Sequence, residues 1–442
     1  MEENGLTLQY FGTDGVRGVA GRELTAELAF RLGRAAGRVF SPRRAVLARD
    51  TRLSGPALSA ACGAGLAEAG CDVYMAEVLP SPAVSHLVRE GGLDLGTVVS
   101  ASHNPPEDNG IKFYNPLGMK LSPRDEAQVE SLLDGQPAGA RLGGLSPWPE
   151  AAERYVEFLH RAAGKLSLSG VRVALDCAHG ATAAVAPETF AALGATLSLI
   201  GAEPDGSRIN VTGAAALEPL RALVRAERAD LGVAFDGDGD RAVFVDSTGQ
   251  VVEGDRLMAA LAPELHRRGE LSTAAVVFTV LGNLGAERYL QGRGFRVVRV
   301  PVGDRHVSWA MREQGIELGG EPSGHIVFGR YAPTGDGLLT AVLTLRALDA
   351  LQVDLTRLVA AVQLHPQVRV DVRVADRAAA LADQSVEVAL REAKKRLAPE
   401  GRLVVRPSGT QPVIRIMAEG PHTPALDRAV RVVEEAIRRT QK

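Results

Sequence analysis

The chain has 442 residues, which is too long for one hydrophobic core and, at roughly 150 residues per domain, predicts about three domains. Its 45% hydrophobic and 23% charged residues are typical of a soluble globular protein, and the formal charge of -3 gives no reason to expect nucleic acid or a membrane surface as a partner. Three cysteines without CxxC spacing, and the lack of a signal segment or of a run of about 18 apolar residues, indicate a cytoplasmic protein.

Helical and strand-like segments alternate from the start of the chain. Apolar residues at helical spacing predict a helix over 24–39, and the short apolar stretch 45–48 predicts a strand. This strand and two later ones, at 171–175 and 275–280, each end in a loop of small residues before an alanine-rich helical segment. Their spacing of roughly a hundred residues predicts three related α/β units, although the residues at corresponding positions match poorly.

The pattern changes near the C-terminus. From Val368 to Val374 apolar and polar residues alternate, which predicts a half-exposed antiparallel strand. A helix is expected over 386–397, strands over 402–405 and 413–417, and a last helix with Thr423 as N-cap and Pro424 in its first turn.

Candidate seams between domains are the Gly/Pro/Ser-rich stretch 135–149, a polar turn at Gly254 and Asp255, and residues 365–367. The expected organisation is α/β, with three similar α/β domains plus a smaller C-terminal α+β domain and clefts between domains. The expected bounds are 1–155 with a serine loop, 156–255 with an acidic loop, 256–366 with a glycine-rich loop, and 367–442.

The segment 231–243 reads LGVAFDGDGDRAV, an apolar strand that ends in three alternating aspartates, Asp236, Asp238 and Asp240. In an extended segment residues two apart face the same side, so these carboxylates are expected to converge on one hard cation such as Mg²⁺. An EF-hand would need glycine at the sixth position and an acid at the twelfth, where this chain has Arg241 and Ser247. A solvated acidic turn is the remaining alternative.

The segment 97–113 reads TVVSASHNPPEDNGIKF and presents Ser102 after a strand. It lacks the GxSxG elbow and a visible triad, so hydrolase chemistry is not indicated. A phosphorylated Ser102 would add anionic oxygens to the metal site of the aspartates, whereas Ser102 alone would be an ordinary turn serine. Lys112 follows ten residues later, where an ammonium group could neutralise phosphate charge or transfer a proton once its pKa is lowered.

Two further clusters suit phosphate and sugar. The turn 406–410 reads RPSGT and, together with Arg415, offers hydroxyl, backbone and guanidinium donors to an anion. The loop 319–325 reads GGEPSGH and offers an acid, a hydroxyl and an imidazole to sugar hydroxyls, although such a loop is more often structural.

Six motifs together make the chain resemble the α-D-phosphohexomutases over nearly its whole length. In order they are FGTDGVRG (11–18), SASHNP (100–105), DGDGDR (236–241), VGDR (302–305), GEPSGH (320–325) and RPSGT (406–410). The resemblance implies four domains around a deep central cleft: three similar α/β domains with mixed sheets, and a smaller C-terminal α+β domain that binds phosphate. It also implies interconversion of glucosamine 6-phosphate and glucosamine 1-phosphate through a phosphoserine and a bisphosphate intermediate, feeding the synthesis of UDP-N-acetylglucosamine and cell-wall precursors.

The resemblance also assigns roles by position. Ser102 would be the phosphoserine and, with Asp236, Asp238 and Asp240, would bind the metal. The positions near the transferred phosphoryl group would be Arg17, His103, Lys112 and Arg241. The substrate-binding positions would be Glu321, Ser323, His325, Arg406, Ser408, Gly409, Thr410 and Arg415.

The implied cofactors are one Mg²⁺ per chain, phosphorylation of Ser102, and glucosamine 1,6-bisphosphate or glucose 1,6-bisphosphate as activator. The implied partner is a small phosphosugar, without nucleic acid or membrane, and a homodimer is compatible with the family pattern. Pro322 and Gln411 depart from the usual residues of that pattern, and Pro322 removes a backbone donor beside the sugar.

Three alternatives remain. A phosphomannomutase or phosphoglucomutase would share every catalytic residue named. A catalytically silent phosphosugar sensor would have no need for Ser102 beside three aspartates, and a phosphatase would let water attack a poorly shielded phosphoserine.

Overall fold

The computed structural model describes residues 8–12, 14–135, 141–408 and 412–441. The described residues form four sheets, of seven, five, four and three strands. The first three sheets are flanked by helices and the fourth is antiparallel, which confirms three α/β domains followed by a smaller one.

The first domain carries the largest sheet, in the order β1-β2-β6-β5-β3-β4-β7. The predicted helix over 24–39 is present as α1, where the side chain of Thr25 accepts a hydrogen bond from the backbone N–H of Leu28 at the N-cap. The elements are β1 (Phe11–Gly12), β2 (Gly15–Val19), α1 (Ala26–Phe40), β3 (Arg44–Arg49), α2 (Gly55–Glu68), β4 (Asp72–Val78), α3 (Ser81–Gly91), β5 (Leu95–Val99), β6 (Asp108–Tyr114), α4 (Pro123–Ser131) and β7 (Leu145–Pro147).

The second domain has the sheet order β12-β11-β10-β8-β9. Its elements are α5 (Ala151–Ala163), β8 (Arg172–Asp176), α6 (Ala186–Ala192), β9 (Thr196–Ile200), α7 (Glu218–Glu227), β10 (Leu231–Phe235), β11 (Ala242–Asp246) and β12 (Val251–Val252). The bound expected after residue 155 falls inside α5, and the four domain bounds drawn from the sequence stay a prediction.

The third domain has the sheet order β14-β13-β15-β16. Its elements are α8 (Gly254–Arg267), β13 (Ala275–Thr279), α9 (Leu284–Gln291), β14 (Arg296–Val300), α10 (Asp304–Gln314), β15 (Leu318–Gly320), β16 (Ile326–Phe328), α11 (Gly337–Leu351) and α12 (Leu355–Val359). Gly254 and Asp255 do not form the expected polar turn: they are the first residues of α8 and are buried, and Asp255 accepts a 2.6 Å hydrogen bond from the Asn283 N–H. The seam expected there stays a prediction.

One four-strand arrangement occurs three times, as β4-β3-β5-β6, β9-β8-β10-β11 and β14-β13-β15-β16. In each copy the first three strands are parallel and the last is antiparallel to its neighbour. This topology confirms the three related units that the sequence predicted. The serine, acidic and glycine-rich loops each connect the last two strands of a copy, so they occupy equivalent places.

The interior of the first three domains is continuous. The largest cluster of buried apolar side chains includes Val84 of the first domain, Phe235 of the second and Leu339 of the third. Because interiors are close-packed and resist deformation, this shared core holds the three loops in fixed relation.

The fourth domain has its own core and the sheet order β17-β19-β18. Its elements are β17 (Gln367–Arg373), α13 (Arg377–Ala382), α14 (Gln384–Leu397), β18 (Arg402–Pro407), β19 (Val413–Glu419) and α15 (Thr423–Arg439). Thr423 as N-cap was wrong: α15 begins at Thr423, and the N-cap is His422, which makes no side-chain capping bond. The buried carboxylate of Glu419 joins this domain to the third by accepting the Leu284 N–H at 2.9 Å.

Across the described ranges, none of the helices combines the length and the apolar character that a bilayer crossing needs.

Candidate active site

Ser102 lies in the loop between β5 and β6 and is 1% exposed. Its φ of 51° is in the left-handed region, which is uncommon for residues other than glycine. In this conformation its hydroxyl donates a 2.7 Å hydrogen bond to Oδ2 of Asp236, which follows β10 of the second domain. The serine and acidic loops therefore meet directly, as the sequence predicted.

The three aspartates converge through a turn and not through the extended segment that was expected. Strand β10 ends at Phe235, and Gly239 has a φ of 71° in the turn that follows. A Cβ atom on Gly237 would stand 2.7 Å from the carbonyl oxygen of Ser102. The two glycines thus allow the turn and its close approach to the serine loop.

The carboxylates of Asp236, Asp238 and Asp240 each offer an oxygen, and these oxygens lie within 4.8 Å of one another. Oδ1 of Asp238 and Oδ1 of Asp240 are buried without a hydrogen-bond partner in the part of the chain that the structure describes. Burial and the neighbouring Asp240 and Asp238 raise the pKa of Asp236 well above its ordinary value. Converging hard oxygens that repel one another suit Mg²⁺, so the residues fit the expected metal.

Lys112 lies on β6 and is 1% exposed. Its Nζ is 2.8 Å from Oδ2 of Asp238 and 2.9 Å from Oδ2 of Asp14. Burial alone would lower the pKa of Lys112, but these two carboxylates raise it above its ordinary value. The lowered pKa suggested from the sequence was therefore wrong, and the geometry favours a permanent cation.

Three further residues that the sequence analysis did not single out extend this ion-pair network. Asp14 contacts both Lys120 and Arg17, and Lys120 also contacts Asp304 at the start of α10. The network therefore links the first domain to the third. Asp14 and Asp304 lie within the motifs FGTDGVRG and VGDR, and Lys120 is one of only six lysines, so signals for all three were present.

Two arginines and a histidine lie in or beside the serine and acidic loops. NH1 of Arg17 donates a 3.1 Å hydrogen bond to Oδ1 of Asn104, and Nε of Arg241 lies 3.8 Å from both Asp236 and Asp240. His103 lies at the surface of the cleft, where partial desolvation and the charges of Arg241 and Arg17 lower its pKa to about 4. His103 is therefore neutral at pH 7.

The glycine-rich loop between β15 and β16 lies beside this cluster. Glu321 accepts a 3.0 Å hydrogen bond from the Gly303 N–H and a 3.3 Å bond from the hydroxyl of the exposed Ser323. His325 is 2% exposed, and its Nε2 lies 3.6 Å from Asp304 and 3.8 Å from Asp240. Neither ring nitrogen has a hydrogen-bond partner among the described residues, so the imidazole is available to a ligand.

Arg406 and Arg415 of the fourth domain are cross-strand partners on β18 and β19. They line a cavity of about 310 Å³ together with Asp371, whose Oδ2 is 3.6 Å from Nε of Arg415. Burial and the neighbouring Arg415 lower the pKa of Arg406, whereas Glu321 acts in the opposite direction. Burial alone would lower the pKa of Arg241, but Asp236, Asp240 and Glu321 raise it, so Glu321 acts on arginines of both the acidic loop and the fourth domain.

Ser408 is buried at the end of this arginine turn, and its N–H donates a 2.9 Å hydrogen bond to the Val413 carbonyl. Gly409, Thr410 and Gln411 lie outside the described residues.

A four-domain α/β fold that brings a serine hydroxyl, three carboxylates and several cations together defines a phosphoryl-transfer class of enzyme. Residues 8–138, 153–249, 253–364 and 370–436 match the phosphoglucomutase/phosphomannomutase domains I, II and III and the C-terminal domain, in chain order.

Relatives and solved structures agree with these matches. A phosphoglucosamine mutase from Anoxybacillus flavithermus is 43% identical over 97% of this chain and 98% of the relative, and one from Moorella thermoacetica is 46% identical over 94% and 96%. The crystal structure of a phosphoglucomutase/phosphomannomutase family protein from Burkholderia thailandensis has a TM-score of 0.83 at 27% identity and 97% coverage of both chains.

The chain belongs to the phosphoglucomutase/phosphomannomutase family, the α-D-phosphohexomutases, and is an isomerase that acts as a phosphotransferase. Its acidic cluster is consistent with the Mg²⁺ and phosphoserine that this family uses.

Proposed function

We propose that this enzyme interconverts glucosamine 6-phosphate and glucosamine 1-phosphate, which supplies the precursor of UDP-N-acetylglucosamine and of the cell wall. The observation that carries the proposal is the 2.7 Å hydrogen bond between the Ser102 hydroxyl and Asp236, inside a cluster of three carboxylates. The amino-sugar substrate is supported by relatives that are 43% and 46% identical over nearly the whole chain and carry the name phosphoglucosamine mutase.

In the proposed reaction the phosphoryl group of phosphorylated Ser102 passes to the 1-hydroxyl of glucosamine 6-phosphate. The bond between phosphorus and Ser102 Oγ breaks, a bond to the sugar oxygen forms, and the hydroxyl proton leaves to a base. Ser102 Oγ takes up the proton that the base received. After the bisphosphate turns round in the cleft, Oγ loses this proton and bonds to the 6-phosphoryl phosphorus, while the bond from that phosphorus to O6 breaks and O6 takes the proton, which leaves glucosamine 1-phosphate. Reversal of the two steps gives the opposite conversion.

Asp236, Asp238, Asp240 and phosphorylated Ser102 would hold one Mg²⁺. A metal ion held by these residues would supply positive charge to the transferring oxygens. Lys112 holds Asp238 in place through its 2.8 Å ion pair and adds a fixed positive charge.

Three residues would flank the transferring group. Arg17 and Arg241 would contact its oxygens, since Arg17 hydrogen-bonds Asn104 of the serine loop and Arg241 lies 3.8 Å from Asp236. His103, the residue next to Ser102, would add a hydrogen bond from its ring.

The substrate would bridge the third and fourth domains. Glu321, Ser323 and His325 would contact the sugar hydroxyls. The non-reacting phosphate would bind in the cavity at Arg406 and Arg415, where two guanidinium groups on paired strands suit an anion. Ser408, Gly409 and Thr410 would add donors to the same phosphate.

Glucosamine 1,6-bisphosphate or glucose 1,6-bisphosphate would act as activator by phosphorylating Ser102. A homodimer is compatible with the family pattern. Cys62, Cys71 and Cys177 are buried free thiols, and burial raises the pKa of each to about 12, which suits a reducing cytoplasm.

A phosphomannomutase or phosphoglucomutase is the second candidate, because a 27% identical structure carries that family name and the catalytic residues would be shared. Relative kcat/KM for glucosamine, mannose and glucose 6-phosphates decides between them. The amino sugar is expected to be fastest, and a preference for mannose or glucose would contradict the proposed substrate.

The Ser102→Ala variant tests the mechanism. It should lose turnover and phosphoserine by intact-mass analysis and keep its melting temperature. Ser131→Ala, at an exposed serine of α4, is the matched control and should retain both. Near-normal turnover of Ser102→Ala would refute the nucleophile, and release of inorganic phosphate in excess of isomer by the wild type would favour a phosphatase.

A further inference from the structure

Arg52 follows β3 in the first domain and is 0% exposed. All five guanidinium N–H groups have acceptors. Nε donates to Oδ2 of Asp50 at 2.9 Å, and the remaining four N–H groups donate to main-chain carbonyl oxygens of the serine loop. These acceptors are the carbonyls of Ser102 (3.0 Å), Asn104 (2.8 Å), Asp108 (2.8 Å) and Pro105.

Asp50 extends this support to the other side of Ser102. Its Oδ2 accepts a hydrogen bond from the Ser100 hydroxyl, and Oγ of Ser100 accepts the Ser102 N–H at 2.9 Å. Both the N–H and the carbonyl of Ser102 are therefore fixed by the Asp50–Arg52 pair. A left-handed backbone at a residue with a side chain persists only where its surroundings impose it, and these bonds impose it here.

A second donor comes from another domain. Nδ2 of Asn210 donates to the carbonyl of Ser102 at 2.8 Å and to that of Asn104 at 3.0 Å, which are the same two acceptors that NH2 of Arg52 uses. Asn210 belongs to the second domain, so this double clamp ties the serine loop to the domain that carries the aspartates.

The role of Arg52 differs from that of the arginines beside the substrate. Its charge is paired with Asp50, and it has no N–H left for a phosphate oxygen. Its contribution to phosphoryl transfer is therefore geometric, through the place and direction of Ser102 Oγ.

We propose that Arg52, assisted by Asn210, is the positioning residue that holds the Ser102 loop in the geometry needed for phosphoryl transfer. This inference rests on the proposed role of Ser102 as phosphoserine. It adds two residues that lie outside the proposed metal-binding and substrate-binding sets.

Arg52→Lys is the first test, because lysine keeps the charge but has three donors on one nitrogen in place of a five-donor fork. We expect kcat, expressed per phosphorylated enzyme, to fall about 10- to 100-fold, since a small misplacement of a reacting group has effects of this size. KM for glucosamine 6-phosphate should change less than about 3-fold, because the proposed phosphate and sugar contacts lie in other loops.

Asn210→Gly is the second test, and it keeps the inference testable if the Arg52→Lys variant fails to fold. Asn210 is only partly buried and has a φ of 64°, which glycine adopts without strain. Its kcat should fall by a smaller factor. In the double variant the two effects should not multiply, because both side chains serve the same carbonyl oxygens.

Arg346→Lys is the matched control. Arg346 donates to the Ala162 carbonyl at 2.7 Å and contacts Glu270, away from the serine loop, so its replacement tests a loss of stability alone. For Arg346→Lys we expect a lowered melting temperature and an unchanged kcat per phosphorylated enzyme. The ³¹P resonance of its phosphoserine should be the same as in the wild type. The Arg52→Lys resonance should be shifted.

Unchanged kcat per phosphorylated enzyme in both Arg52→Lys and Asn210→Gly would overturn the inference, as would effects that multiply. Identifying the residue that carries the phosphate in the wild type separates this result from a failure of the proposed role of Ser102. Phosphate on Ser102 with unaffected variants refutes only the positioning role, whereas phosphate elsewhere refutes the role of Ser102 as well.

Discussion

Lys112 Nζ lies 2.8 Å from Oδ2 of Asp238, and each side chain is 1% exposed. Asp238 also accepts a 2.6 Å hydrogen bond from the Ser81 hydroxyl. One oxygen of this carboxylate is therefore fully engaged by the first domain, and Oδ1 remains for a metal. The ion pair thus orients an expected metal ligand and sets the charge beside the serine at the same time.

Lys112→Gln should lower kcat by about 10²- to 10³-fold, because a preorganised positive charge near the transferring oxygens is lost. It should also lower the melting temperature, because Asp14 and Asp238 lose the cation that pairs them inside the protein. Steady-state kinetics and differential scanning calorimetry measure the two effects. Lys165→Gln, at an exposed lysine, is the control, and equal activity of the two variants would contradict the assignment.

Gly237→Ala should push the acidic turn away from the serine loop, because the new methyl group would meet the Ser102 carbonyl at 2.7 Å and Cδ1 of Ile209 at 2.9 Å. We expect kcat to fall at least about 10-fold. Binding of Mn²⁺, measured by electron paramagnetic resonance, should also be weaker. Gly144→Ala should match the wild type, since its Cβ meets nothing closer than 3.8 Å. Wild-type binding and turnover in Gly237→Ala would show that the loops need not touch.

Arg415→Ala should raise KM for glucosamine 6-phosphate by about 10- to 100-fold, the size expected from losing a hydrogen bond between charged groups. Titration with inorganic phosphate as a competitive inhibitor provides a second readout. Arg391→Ala, at an exposed arginine of α14, is the control. An unchanged KM would place the non-reacting phosphate outside the cavity of the fourth domain.

Asp336 caps α11 by accepting the Leu339 N–H at 2.9 Å and also accepts a bond from the Tyr155 hydroxyl at 2.8 Å. Burial nevertheless raises the pKa of this carboxyl to about 7. The folded protein therefore keeps a proton that the unfolded chain releases near pH 4. The stabilising contribution is complete below about pH 4 and is lost as the pH rises through about 7.

Between pH 4.5 and 8 the wild type should thus lose about 2 to 4 kcal/mol of stability relative to Asp336→Asn, which cannot titrate. Melting temperatures of the two proteins across this range provide the measurement. Asp354→Asn, at the exposed N-cap of α12, should follow the wild type at every pH. Parallel curves for the wild type and Asp336→Asn would mean that the carboxyl is charged throughout.

The sequence predicted most of the repeated fold and the identity of its loops. Period-two and period-3.6 patterns depend on neighbours in the chain, so strands such as β3, β8 and β13 could be placed to within one or two residues. The turn after Phe235 could not be predicted, because the alternation of aspartate and glycine does not reveal that Gly239 takes a left-handed conformation. The burial of Asp255 could not be predicted either, since its hydrogen-bond donor, the Asn283 N–H, belongs to another loop.

By itself the sequence determined which chemical groups stand at the strand ends: a hydroxyl at Ser102, three carboxylates after β10, and arginines in the last domain. The tertiary structure decided the charged partners and the pKa values of those groups, because the partners lie far along the chain. Lys112 and Asp238 are 126 positions apart, and the contacts of Lys112 with Asp14 and Asp238 raise the pKa of a lysine that burial alone would lower. Arg52 likewise acquires its place only when the serine loop folds back over it.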